Sequence, residues 1–184
     1  MNNTHIIGGN PTNGRNERDF YPTPPEVTQA LLNFLKIPKH SVIWECANGA
    51  GDMSDVIEKN GYSCIKTDIV DGFDFLKTER TAADWIITNP PFNLSEQFIH
   101  RAIMLDKSFA FLLKSQYWHS KKRYSLFMQH RPDYVLPLTW RPDFTGQGSS
   151  LLDMIWVVWK QTNKQTNKQS LNLCQNRFRS GLTY

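Results

Sequence analysis

Several large classes of protein leave marks that this chain lacks. Its 184 residues hold three cysteines, Cys46, Cys64 and Cys174, and no CxxC pair. Such a set builds no disulfide framework and suits a reducing cytoplasm. The five histidines are scattered, without metal-ligand spacing to one another or to the cysteines, so no metal is expected. No apolar run reaches the roughly 18–20 residues that cross a bilayer. The first residues, MNNTHIIGGNPTNGRNERD, lack the long apolar core of a signal peptide. A membrane span, a secreted disulfide scaffold and a zinc module are all set aside.

What is there reads as a soluble globular chain, 40% hydrophobic and 21% charged. The length suits one domain with a core of its own. The formal charge of +4 is unevenly placed. Residues 1–160 hold 17 Lys+Arg and 17 Asp+Glu, so the excess lies in 161–184, with Lys164, Lys168, Arg177 and Arg179 and no acid. Residues 45–84 carry nine acids against four bases, whereas 101–141 carry eight bases against Asp106 and Asp133. That polar split says more about partners than the net charge does.

Residues 1–18 are rich in Asn, Gly and charge and read as a flexible N-terminal arm. Residues 19–160 alternate strand and helix patterns. Asp19 to Glu26 leads into Val27, Ala30, Leu31, Phe34 and Leu35, a helical spacing with Thr23 as cap and Pro38 as stop. Val42–Trp44 reads as a strand ending at Glu45, Asp52 to Asn60 as a helix stopped by Gly61, and Ser63 to Thr67 as a strand. Trp85–Thr88 and Phe109–Leu113 are further strands around a helix that begins at Ser95. A basic helix is expected over Ser120 to His130, then late strands at Tyr134–Leu136 and Ile155–Trp159. The alternation means a single α/β domain with a mostly parallel central sheet flanked by helices. Residues 161–184, with the polar repeat KQTNKQTNKQ, have nothing to bury and read as a disordered polar and basic tail.

Ligands of open α/β sheets sit outside the carboxyl ends of the strands, and three polar landmarks fall at such ends. The first is Glu45-x-x-x-Gly49-x-Gly51, where glycines let a backbone pass close to a ligand. Taken alone, with Ser54 near a third small position, this turn leaves a nicotinamide enzyme open. The second is Asp68, nineteen residues after Gly49, whose carboxylate can accept from both hydroxyls of a ribose. Asp74 and Phe75 beyond it can meet an adenine, one through the amino group and the other through a ring face. The third is Asn89-Pro90-Pro91-Phe92. An Asn side-chain oxygen and the Pro90 carbonyl can both accept from one planar amino group. Two acceptors draw that nitrogen toward tetrahedral geometry and free its lone pair for attack. Phe92 offers a face on which an extruded base can stack.

Together EcaNGaG, Asp68, Asp74-Phe75-Leu76 and NPPF resemble a class I S-adenosylmethionine-dependent methyltransferase. With DFYPTPP upstream, the set is similar to small phage-type DNA N6-adenine methyltransferases, over about residues 19–160. The resemblance implies a Rossmann-like fold, S-adenosylmethionine as cofactor, DNA as substrate, and the cytoplasm of a bacterium or phage-infected cell. It implies Tyr21, Thr23 and Pro24 against the methionine end of the cofactor, and Glu45, Asn48, Gly49 and Gly51 along its middle. Asp68 would hold the ribose, Asp74 and Phe75 the adenine, and Asn89, Pro90, Pro91 and Phe92 would form the catalytic loop. Cys46 stands where the family often has proline. No long insertion supplies a recognition domain, since 15 residues separate Phe92 from Ser108. Sequence specificity then falls to flanking loops or to a second subunit in a homodimer.

Cations mixed with aromatics run from Lys114 through Tyr117, Trp118, Lys121 and Lys122 to Arg123. Such a mixture suits phosphate neutralisation and base stacking, with Arg141 and the glycine-rich stretch 146–150 as flanking contacts. Trp140, Trp156 and Trp159 read as core or sheet-edge residues. Two other enzyme readings share the NPPF chemistry, methylation of a cytosine amine and of a protein glutamine amide. A third reading is a domain that binds nucleic acid without catalysis.

Overall fold

Side chains of a strand alternate between the two faces of a sheet, and the inner strands here bury both faces. A computed structural model describes residues 22–144 and 152–161. The expected arm, most of the tail, Tyr21 and the stretch 146–150 lie outside the described residues. The strands are β1 (Val42–Glu45), β2 (Ser63–Lys66), β3 (Trp85–Thr88), β4 (Ser108–Lys114), β5 (Tyr134–Pro137) and β6 (Met154–Trp159). They form one sheet in the order β2-β1-β3-β4-β6-β5. Strands β1 to β4 pair in parallel, and β6 runs antiparallel to both β4 and β5.

Helices α1 (Pro25–Leu35) and α2 (Asp52–Lys59) cover one face, with Ile43, Ile87, Ala110, Leu112, Trp156 and Val158 beneath them. Helices α3 (Ser95–Met104) and α4 (Tyr124–Gln129) cover the other, over Trp44, Ile86, Phe109, Phe111, Leu113, Ile155 and Val157. Neighbouring residues thus go to opposite cores, which is why these strands read as unbroken apolar runs. On the α3 face, aromatic rings form one contiguous line. Centroid distances are 5.3 Å for Trp44 to Phe75, 4.7 Å for Phe75 to Phe98 and 6.4 Å for Phe98 to Phe111. The line continues at 5.0 Å to Phe109 and 4.6 Å to Trp159.

Three local expectations need correction. Thr23 does not cap α1: Pro24 holds the cap position with no side-chain hydrogen bond, and the Thr23 hydroxyl is used elsewhere. The helix stops at Lys36, which takes a left-handed conformation at φ +47°, two residues before Pro38. The basic helix is broken: Lys121–Arg123 form a 3-10 turn, and α4 begins only at Tyr124. Three adjacent cations repel one another, and α4 buries only Leu126 and Phe127, too little apolar surface to draw the cations into a longer helix.

Trp156 ties the first helix to the sheet. It is 1% exposed, and its indole Nε1 donates to the Val27 carbonyl at 3.0 Å. Trp156→Ala should therefore cost about 3–5 kcal/mol, as large aromatic deletions in cores do. Urea unfolding should show the loss as a lower midpoint with little change in slope.

Candidate functional site

Strand β1 connects to β2 on one side, while β3 lies on its other side, so the order of the sheet reverses between β1 and β3. The carboxyl ends of these two strands frame the crevice where ligands of such sheets bind. Glu45 ends β1 and Thr88 ends β3, and a hydrogen bond joins them: the Thr88 hydroxyl donates to Glu45 Oε1. The same oxygen accepts from the Ala47 amide at 3.0 Å. Glu45 is 1% exposed, and burial pushes its carboxyl up to about 8. The Thr88 and Ala47 donors oppose that rise, and the nearby Asp68 charge adds to it.

The turn after Glu45 is bound to the end of β2. Asn48 N donates to the Thr67 carbonyl at 3.1 Å, and Gly49 N donates to Asp68 Oδ2 at 2.8 Å. Asp68 Oδ1 accepts from Val70 N at 3.0 Å. Each carboxylate oxygen has further acceptor capacity, so Asp68 can serve the backbone and a diol together. Gly49 and Gly51 take φ values of +52° and +96°, and at Gly51 any side chain would be strained. Asn48 Oδ1 is buried and has no hydrogen-bond partner within the fold. An acceptor left without a donor in this turn is what a bound ammonium or hydroxyl would satisfy. Ile69, beside Asp68, is 63% exposed. Neither it nor Thr88 stood out in the sequence, although a polar residue closing an apolar strand was a usable signal for Thr88.

The NPPF loop stands at the end of β3. Asn89 Nδ2 donates to Thr23 Oγ1 at 3.1 Å, across 66 residues of chain. Thr23 is 5% exposed, so this contact holds the amide from the protein side. Ser95 Oγ donates to the Phe92 carbonyl at 3.1 Å and braces the far end of the loop. Lys114, at the end of β4, places its Nζ 3.9 Å from the Phe92 ring centroid. The ring thus already carries a cation on one face.

Other expected residues lie elsewhere. Phe75 is 2% exposed inside the aromatic line and offers no ring face to an adenine. Its neighbour Asp74 accepts from Leu76 N at 3.0 Å and sits 3.3 Å from Lys77 Nζ. Tyr117 is a core residue, and Arg123 covers its ring at 3.8 Å. Arg123 also donates to the Tyr117 carbonyl at 3.1 Å and faces Glu96 at 3.5 Å. This pair is used inside the fold and offers neither a free stacking face nor a free cation. Lys121 and Lys122 are exposed, and Arg141 is exposed in an ion pair with Asp153 at 2.8 Å. The Trp118 side chain lies outside what is described. Among the described residues, no group of three or more His, Cys, Asp or Glu is placed to hold a metal. No helix among them is long and apolar enough to cross a membrane.

No family model and no curated protein matches the chain. Solved structures do. A Listeria monocytogenes protein classed as a class I S-adenosylmethionine-dependent methyltransferase aligns with a TM-score of 0.60 at 12% identity, over 86% of this chain and 66% of its own. A Pyrococcus horikoshii protein classed as an RNA methyltransferase aligns at 0.52 and 17% identity, over 80% and 87%. The 23S rRNA methyltransferase ErmE aligns at 0.52 and 8% identity, over 77% and 70%. At these identities the likeness is one of fold, and the fold is the Rossmann-like one of class I methyltransferases.

The buried Glu45 carboxyl makes stability depend on pH. Unfolded, the group releases its proton near the ordinary value of 4.5; folded, it holds it to about 8. Between those values the folded state binds more protons, so stability falls as pH rises. Glu45→Gln should flatten the profile, removing a pH-dependent loss of up to about 5 kcal/mol at roughly 1.4 kcal/mol per unit. Chemical denaturation of both proteins between pH 5 and 8 measures the difference.

Proposed function

We propose that the chain is an S-adenosylmethionine-dependent methyltransferase acting on the exocyclic amine of adenine in DNA. The observation that carries this is the Asn89–Thr23 hydrogen bond. It anchors the NPPF amide at the end of β3, the strand paired with β1, which leads into the glycine turn. Asn48, Gly49, Gly51 and Asp68 would hold the cofactor, with Ile69 against its adenine and Thr23 and Pro24 near its methionine end. Tyr21, expected at that end too, belongs to the same proposal. When bound, the cofactor supplies an electrophilic methyl group on a sulfonium.

The protein's part is positioning and polarisation. With Nδ2 committed to Thr23, the Asn89 amide is oriented so that Oδ1 serves as acceptor, and Pro90 adds its carbonyl. Two acceptors on one amino group raise the lone-pair character of its nitrogen and orient it for in-line attack. Phe92 stacks on the base. Lys114, Lys121, Lys122 and Arg141 supply positive charge for the backbone. RNA is the second reading, favoured by the P. horikoshii and ErmE likenesses. A cytosine amine or a protein glutamine amide would use the same loop.

Labelled S-adenosylmethionine, unmodified DNA and nucleoside analysis test the reading, and labelled N6-methyladenine is the expected product. Label found only in RNA or protein would overturn the DNA assignment. Asn89→Ala should lower turnover at least 1000-fold while cofactor affinity, read by calorimetry, stays within a few-fold. Thr23→Val should lower kcat about tenfold, because it removes only the partner that orients Asn89, a neutral hydrogen bond worth about 1–1.5 kcal/mol.

A further inference from the structure

The carboxyl that joins β1 to β3 uses only one of its oxygens within the fold. Glu45 Oε1 takes both donors offered to the group, the Thr88 hydroxyl and the Ala47 amide. Among the described residues none donates to Oε2. Asn48, three positions on, keeps a buried Oδ1 that also lacks a donor. Two acceptors without donors thus fall within one turn, at the end of β1 where the sheet order reverses. Such a pair suits a ligand group with several N–H bonds, and an ammonium has three. The methionine end of the proposed cofactor carries an ammonium.

The groups around the carboxyl decide its charge. Thr88 of β3 and the Ala47 amide are neutral donors, and Asp68 at the end of β2 is an acid. The Cys46 and Cys64 thiols are close as well, and burial pushes both up, so they stay neutral. Lys66 is the register partner of Glu45 on β2, but it is exposed and paired with Glu58 at 2.8 Å. Glu45 shares a sheet face with Ile43, the face that α1 and α2 cover. On those helices Glu26, Asp55, Glu58 and Lys59 are exposed and Asp52 is half-buried. None of the groups acting on the carboxyl is a cation. Without one, a carboxyl that is 1% exposed keeps its proton to about pH 8. That proton lies on Oε2, because Oε1 already accepts twice.

We infer that Glu45 is a proton-linked ligand: its carboxyl gives up the Oε2 proton to receive the ammonium of the cofactor, so binding expels one proton. The inference rests on the functional reading above and deepens it, by naming what controls the loading of the site. The Oε2–H bond breaks, the proton passes to solvent, and the carboxylate accepts an N–H of the ammonium. One positive charge enters as another leaves, and a buried neutral group becomes half of an ion pair. In the free protein the carboxyl holds its proton to about pH 8; beside a cation it holds the proton less well. Between the two values the complex binds fewer protons than the free protein. Affinity therefore rises with pH, by up to about tenfold per unit, and levels off above about 8. Loading of the site falls as the surroundings acidify.

Calorimetry on the full chain counts the proton. Titration with S-adenosylmethionine at about pH 6.5, in two buffers of unequal ionisation enthalpy, should show release of about 0.7–1 proton. That pH lies below the range near 8 in which an α-amino group itself titrates. 5′-Methylthioadenosine keeps the adenosine and the sulfur but lacks the ammonium, and should release less than about 0.2 proton. This comparison uses the native protein, so it does not depend on how a variant folds. Glu45→Gln should bind S-adenosylmethionine without release. Its affinity should change less than about twofold between about pH 6 and 7.5, where the native protein gains about tenfold or more. Binding of S-adenosylmethionine without proton release, equal release with 5′-methylthioadenosine, or undiminished release in Glu45→Gln overturns the linkage and leaves the methyl-transfer reading standing. No binding of S-adenosylmethionine at any pH overturns the cofactor reading, and the linkage with it.

Discussion

A buried carboxyl between two strand ends organises this molecule. Glu45 lies where the sheet order reverses, and its Oε1 takes the Thr88 hydroxyl from β3 and the Ala47 amide from the turn. An isolated charge at this depth would be costly, and the group meets that cost by holding its proton to about pH 8. The bond has two consequences. It fixes the start of the glycine turn, which Asn48 and Gly49 then tie to the end of β2. It also fixes the residue before Asn89, and so the height at which the NPPF loop leaves the sheet. The proposed cofactor turn and catalytic loop are thus held by one side chain.

Around that centre the charges are sorted by use as well as by sign. Three of the acids of 45–84 accept from backbone amides: Asp68 from Gly49 and Val70, Asp74 from Leu76, and Asp84 from Val42. The bases of 101–141 divide. Arg101 donates to the Thr78 carbonyl, Arg123 closes over Tyr117 and Arg141 pairs with Asp153. Lys121 and Lys122 stand exposed, and Lys114 covers Phe92. A run that looks like one basic patch is therefore spent in part on cation–aromatic contacts and an ion pair.

Much of the architecture was legible because the signals are local. All six strands fall where apolar runs meet polar ends, α2 lies close to its expected bounds, and α3 begins at the expected Ser95. Where a residue's setting differs from the one its type suggested, the cause is common. Thr23 resembled a cap, Phe75 a stacking ring and Tyr117 a nucleic-acid contact, since each residue type suits that task. Which task a residue performs depends on what other segments bring to it. Asn89 takes Thr23 from 66 positions away, Phe98 encloses Phe75, and Arg123 covers Tyr117.

The sequence by itself determined the α/β class, the strand-end landmarks at Glu45, Asp68 and Asn89, and the likeness to class I methyltransferases. Periodicity, turn glycines and adjacent prolines act over a few bonds, so they can be read along the chain. Only the tertiary structure decided that Glu45 bonds Thr88, that Thr23 bonds Asn89, and that Arg123 closes over Tyr117. Those are contacts between distant segments, and the balance of burial and hydrogen bonding that selects them exists only once the sheet has formed.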